Sequence, residues 1–349
     1  MNESNKKFFR ITSPQMEDKR YWLKNRLLIN LGFVPKLFGY TDRHLYLLTN
    51  GKLKEYTSGV EYYFGITLKG TETKPEQFPR ALTENGVIRA IHAPFSKDSY
   101  PYPFLRRIKK IGIKTLYQYI RYRIIARADG NAWHRLPKAI EIASSIGAEK
   151  ITIHAIDIIL APHARRLFRE LNTLGKKRRL MISLENVPRY PSDQKSDKSE
   201  WRIAHHPVEL IEYLKKNRLD AMKLTVDTAH LAASGYDVHE MWKKIKQFTG
   251  HDINSAISHF HLADYDAEND FDAARLGDGV IGLETFRALI NDLYHLHYNG
   301  TISIEVAPLY FQKKIKLISH ALKRVIMPSE VNLLEEEEYL LGMIQELLD

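Results

Sequence analysis

Six short apolar runs each close on a side chain able to ligate a metal ion or move a proton. They are Ala90-Ile91-His92, Thr152-Ile153-His154, Ser183-Leu184-Glu185, Thr225-Val226-Asp227, His259-Phe260-His261 and Ser303-Ile304-Glu305. Alternate residues of a β-strand share a face. Each run therefore sets a bulky apolar residue on one side, and a small or polar residue followed by the ligand on the other. Repeated at the ends of six strands, the pattern describes a ring of His, Asp and Glu around a common axis. Three of its members, Glu185, Asp227 and Glu305, would repel one another if they converged bare, and a divalent cation removes that difficulty. The positions two residues before the ligands (Ala90, Thr152, Ser183, Thr225, His259, Ser303) are mostly small hydroxyl residues, which leave space and hydrogen-bond a ligand shell. His259 itself is expected one layer deeper, as a partner to ligands.

The chain has no cysteine, so thiolate sites, disulfides and cysteine nucleophiles are excluded. Nitrogen and oxygen ligands suit Zn²⁺, Mn²⁺, Co²⁺ or Fe²⁺, and the many histidines argue against a pure Mg²⁺ or Ca²⁺ site. With His230 the set is too large for one tetrahedral centre. The expectation is two or more divalent ions, Zn²⁺ foremost with Mn²⁺ or Co²⁺ as alternatives, and a carboxylate bridging them. Paired metals about 3.5–4 Å apart bind phosphoryl oxygens and generate hydroxide for hydrolysis.

The elements needed to gather these residues are legible in the 349-residue chain. Strand-like runs lie at Leu27–Phe33, Glu61–Thr67, Val87–His92, Lys150–His154, Leu180–Glu185, Met222–Asp227, Ile257–Leu262 and Thr301–Val306. Amphipathic segments separate them, including Leu136–Ile146, His163–Leu174, Pro207–Lys216, Val238–Phe248 and Leu283–His297. Eight such units predict an α/β fold, the (β/α)8 TIM barrel, whose active sites sit at the carboxyl-terminal strand ends. A doubly wound open sheet would not bring six strand ends together. One domain, 1–349, is expected: a barrel over about 27–325, a long basic insertion after strand 3 over about 98–138, and an extra C-terminal acidic amphipathic helix over about 329–349. Its leucine stripe must be buried on the barrel or on a partner chain. Pro188–Pro207 reads as a polar loop and Lys313–Val325 as a helix. Other histidines (His134, His163, His205, His206, His239, His251, His295, His297) read mostly as surface residues without a role.

Net charge is +10, from 52 basic and 42 acidic residues, and it is concentrated in the insertion. Between Phe104 and Lys138, Arg106, Arg107, Lys109, Lys110, Lys114, Arg121, Arg123, Arg127, Arg135 and Lys138 stand against the one acid Asp129, among Tyr117, Tyr119, Tyr122 and Trp133. Such a segment suits nucleic acid or a phosphorylated substrate, with Arg106, Arg107, Lys109, Lys110, Arg121 and Arg123 as candidate contacts. A solvated helical hairpin is the plain alternative. No apolar stretch approaches the roughly 18 residues of a membrane span. Residues Met1–Arg10 are polar and basic, so no membrane association and a cytoplasmic location are the expectations.

Several motifs carry a family resemblance: His92-Ala93-Pro94-Phe95, Leu184-Glu185-Asn186, Val226-Asp227-Thr228-Ala229-His230 running on to Gly235-Tyr236-Asp237, His261-Leu262-Ala263-Asp264, and Gly277-Asp278-Gly279-Val280-Ile281-Gly282. Over about Glu61 to Pro308 the chain resembles the xylose-isomerase-like TIM-barrel superfamily. Within it, the chain looks most like the endonuclease IV family of apurinic/apyrimidinic endonucleases. That resemblance implies one metal held by His92, His154 and Glu185, and a second bridged by Glu185 and completed by Asp227, His261 and Glu305. It implies a third on His230 and an Asp-x-His pair; this chain reads Asp272-Ala273-Ala274 there, with the aspartate kept and the histidine missing. The glycine motif does not directly follow a strand, so it reads as a loop serving the site rather than a dinucleotide fingerprint.

The first functional expectation is therefore a divalent-metal-dependent phosphodiesterase, an AP-endonuclease-like hydrolase acting on abasic-site DNA, with Glu185 and Glu305 orienting the attacking hydroxide. The alternative is a sugar or sugar-phosphate isomerase or epimerase using a single Mn²⁺-type ion on Glu185, Asp227, His261 and Glu305, with the two glutamates as acid/base pair. A barrel that binds metal or nucleic acid without turnover ranks last.

Overall fold

The computed structural model describes residues 14–30, 51–63, 87–93, 136–159, 163–188, 199–307 and 333–349, together with residues 83 and 309. The basic insertion as far as Arg135, with its six candidate contacts, the segment Lys313–Val325 and the span 189–198 lie outside the described residues.

Eight strands close into one parallel barrel in the order β1-β10-β7-β6-β5-β4-β3-β2. The strands are β1 (Leu27–Asn30), β2 (Gly59–Tyr63), β3 (Ile88–His92), β4 (Lys150–His154), β5 (Met181–Glu185), β6 (Met222–Asp227), β7 (Ile257–Leu262) and β10 (Thr301–Ile304). The short antiparallel hairpin of β8 (Asp264–Asp266) and β9 (Phe271–Ala274) stands outside the barrel sheet. The (β/α)8 expectation holds. The apolar members of the six runs (Ile91, Ile153, Leu184, Val226, Phe260, Ile304) lie in one buried core with residues of the surrounding helices, such as Leu171, Leu210, Trp242 and Phe286. That leaves the alternate residues to the barrel interior.

Register turns the pattern into a staircase. His92 stands level with Thr152, Glu185 with Thr225, Asp227 with His261, and His261 with Ser303. This stagger accompanies the strand tilt that a closed barrel requires.

Two β-bulges set the parity of the interior. Between β6 and β7, Leu224 pairs with Ile257 and Thr225 with His259, so Ser258 is one residue extra. Without it, Ile257 would share a face with His259 and His261; with it, Ile257 joins the apolar core while both imidazoles turn inward. The extra residue is used: Ser258 Oγ lies 2.7 Å from Ser183 Oγ, and its carbonyl accepts from Lys150 Nζ at 2.6 Å. Between β2 and β3 the same occurs at Arg89, since Val60 pairs with Ile88 and Glu61 with Ala90.

The C-terminal helix Leu333–Leu348 settles one open expectation: its stripe packs on the barrel, with Leu340, Leu341, Met343, Ile344 and Leu347 buried in the main core. Arg275 Nη2 grips the Glu346 carboxylate at 2.6 Å, and Glu337 Oε1 accepts from the backbone N–H groups of Lys52 and Leu53. Leu334, at the near end of the stripe, stays exposed.

Two expectations need correction. Part of the predicted loop Pro188–Pro207 is the helix Ser199–His205, tied back to the chain after β5 by Val187 N–H donating to Ala204 O at 3.0 Å. His205, read from sequence as a surface residue, is buried there and donates through Nδ1 to Val187 O at 2.7 Å. The polar composition of Ser192–Ser199 hid both.

Candidate metal centre

The six strand-end residues are brought together as the spacing requires. Two groups form, His92 with His154 and Glu185, and Glu185 with Asp227, His261 and Glu305; within each, one ligand atom per residue lies within 4.8 Å of every other. Glu185 belongs to both. Its Oε2 is 2.9 Å from His92 Nε2 and 3.4 Å from His154 Nε2, while its Oε1 is 3.1 Å from His230 Nδ1 and 3.4 Å from His261 Nδ1.

Local structure explains each placement. Asp227 ends β6 and caps the helix Thr228–Ala233, its Oδ1 accepting from His230 N–H at 2.7 Å. Asn186, the residue after Glu185, clasps the Asp227 backbone: its Oδ1 accepts from Asp227 N–H at 2.9 Å and its Nδ2 donates to Asp227 O at 3.1 Å. Thr228 Oγ1 ties this turn to β7 through Ala263 O at 2.8 Å. His92 donates through Nδ1 to Ala93 O at 2.9 Å, which turns Nε2 toward Glu185.

Electrostatics favour a cation here. Burial opposes charge on Glu185, His261, His230, Asp227 and His154, yet the outcome differs with the neighbours. At Glu185 burial is outweighed by His261 and His154, which hold the carboxyl well below its usual range. At His261 burial is outweighed by Glu305, Glu61 and Glu185, which raise it well above the ordinary imidazole value. At His230, against burial, Asp227, Glu185 and Asp272 raise it to about 10. Burial prevails at Asp227, pushed up to about 6, and at His154, pushed down to about 3.

The donor set fits a divalent cation. Glu185 Oε1, His261 Nδ1 and Glu305 Oε2 are each buried without a hydrogen bond. They nevertheless crowd one another, Glu305 Oε2 standing 2.6 Å from His261 Nδ1 and Asp227 Oδ2 3.7 Å from it. Buried polar atoms are nearly always satisfied, so converging donor atoms that make no hydrogen bond mark where a cation fits.

Asp272, on β9, approaches His230 Nε2 at 3.9 Å but belongs to neither four- nor three-residue ligand group. The glycine motif forms a loop, but its backbone turns to an aspartate: Asp264 accepts from Gly277 N–H at 3.1 Å, Ile281 N–H at 2.9 Å and Gly282 N–H at 3.3 Å. A Cβ on Gly279 would stand 2.4 Å from Asp264 Oδ1, so glycine alone lets the loop close so tightly.

Sequence reasoning missed two residues, both on β2. Tyr63 stacks on His92 with ring centroids 4.0 Å apart and donates its hydroxyl to Glu305 Oε1. Burial, with Glu305 and Glu185 nearby, raises its phenol well above the ordinary value, so it stays a donor. Glu61 is fully buried beneath His261. The signal was present: Glu61 and Tyr63 share one parity, and an acid inside a barrel strand must find partners.

A closed parallel barrel with carboxylates and imidazoles converging at its carboxyl-terminal rim defines a TIM-barrel protein. The chain belongs to the xylose isomerase-like TIM barrel family, whose profile matches residues 57–323. No curated protein matches it by sequence. Among solved structures it is similar to an L-ribulose 3-epimerase (12% identity, TM-score 0.54, covering 93% of this chain and 94% of that one). It is likewise similar to a D-allulose 3-epimerase from Methylomonas sp. (12%, 0.52, 92% and 98%). A third likeness is to a D-psicose 3-epimerase with D-tagatose from Clostridium cellulolyticum H10 (12%, 0.51, 93% and 99%). At these identities the likeness is one of fold. No helix among the described residues is long and apolar enough to cross a membrane.

Proposed function

We propose that the chain is a divalent-metal-dependent isomerase or epimerase acting on a sugar or sugar phosphate. The observation that carries this reading is the convergence of Glu185, Asp227, His261 and Glu305, four buried ligands within 4.8 Å, which make a complete shell for one Mn²⁺- or Zn²⁺-type ion. Epimerases of sugars are among the proteins whose fold it shares. This reverses the order of the two functions expected from sequence.

A cation bound there supplies Lewis-acid polarisation of a substrate carbonyl. Glu185 and Glu305 are the proposed acid/base pair: one carboxylate takes the proton from the carbon beside the carbonyl, and the other returns one. Tyr63 holds Glu305 by Oε1 and leaves Oε2 toward the centre. His92 and His154 hold Glu185 by Oε2 and leave Oε1 toward it.

A second reading is the hydrolase, and one observation favours it: His92, His154 and Glu185 form a further ligand group that a single-ion enzyme does not need. In that reading both ions act on a phosphodiester, His230 and Asp272 are the remnant of a third site, and the basic insertion holds nucleic acid.

The deciding experiment incubates Mn²⁺-loaded protein in D2O with a panel of ketoses and ketose phosphates, and in parallel with an abasic-site duplex. Deuterium entering a sugar beside its carbonyl, with one ion per chain by elemental analysis, supports the isomerase. Nicking of the duplex without exchange in any sugar, with two or more ions per chain, overturns it.

A further inference from the structure

Beneath the rim lies a carboxylate that the proposed acid/base chemistry leaves unused. Glu61, on β2, is fully buried, and its two oxygens face four donors. Oε1 accepts from Thr152 Oγ1 at 3.0 Å; Oε2 is 3.2 Å from His259 Nε2, 2.9 Å from His261 Nε2 and 3.4 Å from Asn30 Nδ2. The contact with His261 is close but bent, so its Nε2 makes no well-directed hydrogen bond.

Glu61, His259 and His261 also satisfy the distance pattern of a metal site. Their partners argue otherwise: the carboxylate is surrounded by hydrogen-bond donors, which a cation would have to displace. Two partners meet His259 Nδ1, the Thr301 hydroxyl at 2.6 Å and the Thr301 carbonyl at 3.1 Å; with the nearer hydroxyl donating, the His259 proton stands on Nε2, facing Glu61. The carboxylate can only accept, so of the two nitrogens of His261 the one 2.9 Å from it, Nε2, is where it favours a proton. With Nε2 protonated, a neutral His261 has its lone pair on Nδ1, the atom aimed at Glu185, Asp227 and Glu305.

We propose that Glu61 is the positioning residue of the metal centre: it holds the proton of His261 on Nε2 and so presents Nδ1, lone pair first, to the ion. A carboxylate behind a ligating imidazole fixes both its tautomer and its ring orientation. The inference rests on the metal-centre reading above and deepens it.

The test uses the full chain and Zn²⁺ alone. Competition with a chelating dye gives the Zn²⁺ dissociation constant of wild type, Glu61→Met and Glu61→Gln. Methionine removes the acceptor and should weaken binding by about 10–100-fold. Glutamine keeps an acceptor oxygen and should restore most of the loss, which simple damage to packing would not do. Histidine-selective ¹⁵N NMR of the Zn²⁺-loaded wild type gives an independent readout that needs no variant of Glu61. His261, assigned by the signal lost in His261→Gln, should carry its proton on Nε2. A folded Glu61→Met chain binding Zn²⁺ as tightly as wild type, or a His261 protonated on Nδ1, overturns the proposal; if Glu61→Met does not fold, the NMR result decides. Wild type that binds no Zn²⁺ sinks the metal centre itself, an outcome distinct from either.

Discussion

The rim of the barrel and the layer directly beneath it are built from the same strands, two residues apart, yet they obey opposite rules. In the lower layer polar atoms meet partners. Thr152 donates to Glu61, Thr225 Oγ1 to Ser183 Oγ at 2.5 Å, Ser183 reaches Ser258, and Lys150 reaches the Ser258 carbonyl. At the rim, Glu185 Oε1, His261 Nδ1 and Glu305 Oε2 are as deeply buried and have no hydrogen bond. Burial is therefore not what separates them. The lower layer is a closed network that fixes geometry, and the rim is an open valence held in place by it.

The contrast breaks most visibly at Glu185. Glu185→Gln should lower turnover by about 10²–10⁴-fold, the range for losing a positioned acid or base. It should also abolish the rise in melting temperature on adding Mn²⁺ or Zn²⁺. In wild type that rise should reach about 2.7 kcal/mol of added stability at a hundredfold excess over the dissociation constant. A variant that keeps the thermal shift would remove Glu185 from the ligand shell.

Next in size comes Lys150, the one lysine of the lower network. Burial pushes its ammonium down to about 8 from 10.5 in the unfolded chain. Below pH 8 it is charged in both states, and burial counts fully against folding. Between about pH 8 and 10.5 the folded chain has released a proton that the unfolded chain still binds, so stability should rise with pH, by up to about 3 kcal/mol. Denaturant titrations across this range should show the rise in wild type and not in Lys150→Met.

A single link of the closed network should cost less. Thr152→Val removes the donor to Glu61 Oε1 and leaves that oxygen buried and unmatched, a loss of about 1–3 kcal/mol measurable by urea unfolding. The smallest effect is expected at the exception to the rule. Ser303 Oγ is buried in the lower layer without a hydrogen bond, so Ser303→Ala should change stability by no more than about 0.5 kcal/mol, in either direction. A large loss there would mean that its hydroxyl has work the contrast does not describe.

Much of this was legible in the chain. The six strand-end ligands could be read because a parallel barrel needs only strand parity and strand ends to define its rim, and both survive in short runs such as Thr152-Ile153-His154. Glu61 and Tyr63 were lost because the second strand was read as starting at Glu61, whereas it begins at Gly59 and carries Glu61 at its centre. A difference of two residues in a strand start moves an acid from the barrel's edge to its interior. The helix Ser199–His205 was hidden for a different reason: its anchoring comes from Val187 and a buried His205, contacts distant in pattern from the polar run before it. The order of isomerase and hydrolase was misread because Glu185, Asp227, His261 and Glu305 serve both, and only His92 and His154 set the two apart.

The extra residue at Ser258 carries a lesson for anyone transplanting this centre. A perfectly regular strand bearing the letters of β7 in unbroken alternation would keep Ile257 on the same side as His259 and His261. Either an isoleucine would then block the lumen or both imidazoles would face the helices. Copying the ligands onto an idealised scaffold would fail unless the irregularity were copied with them; here a local defect in hydrogen-bond pairing is the device that gives the strand a usable inside and outside.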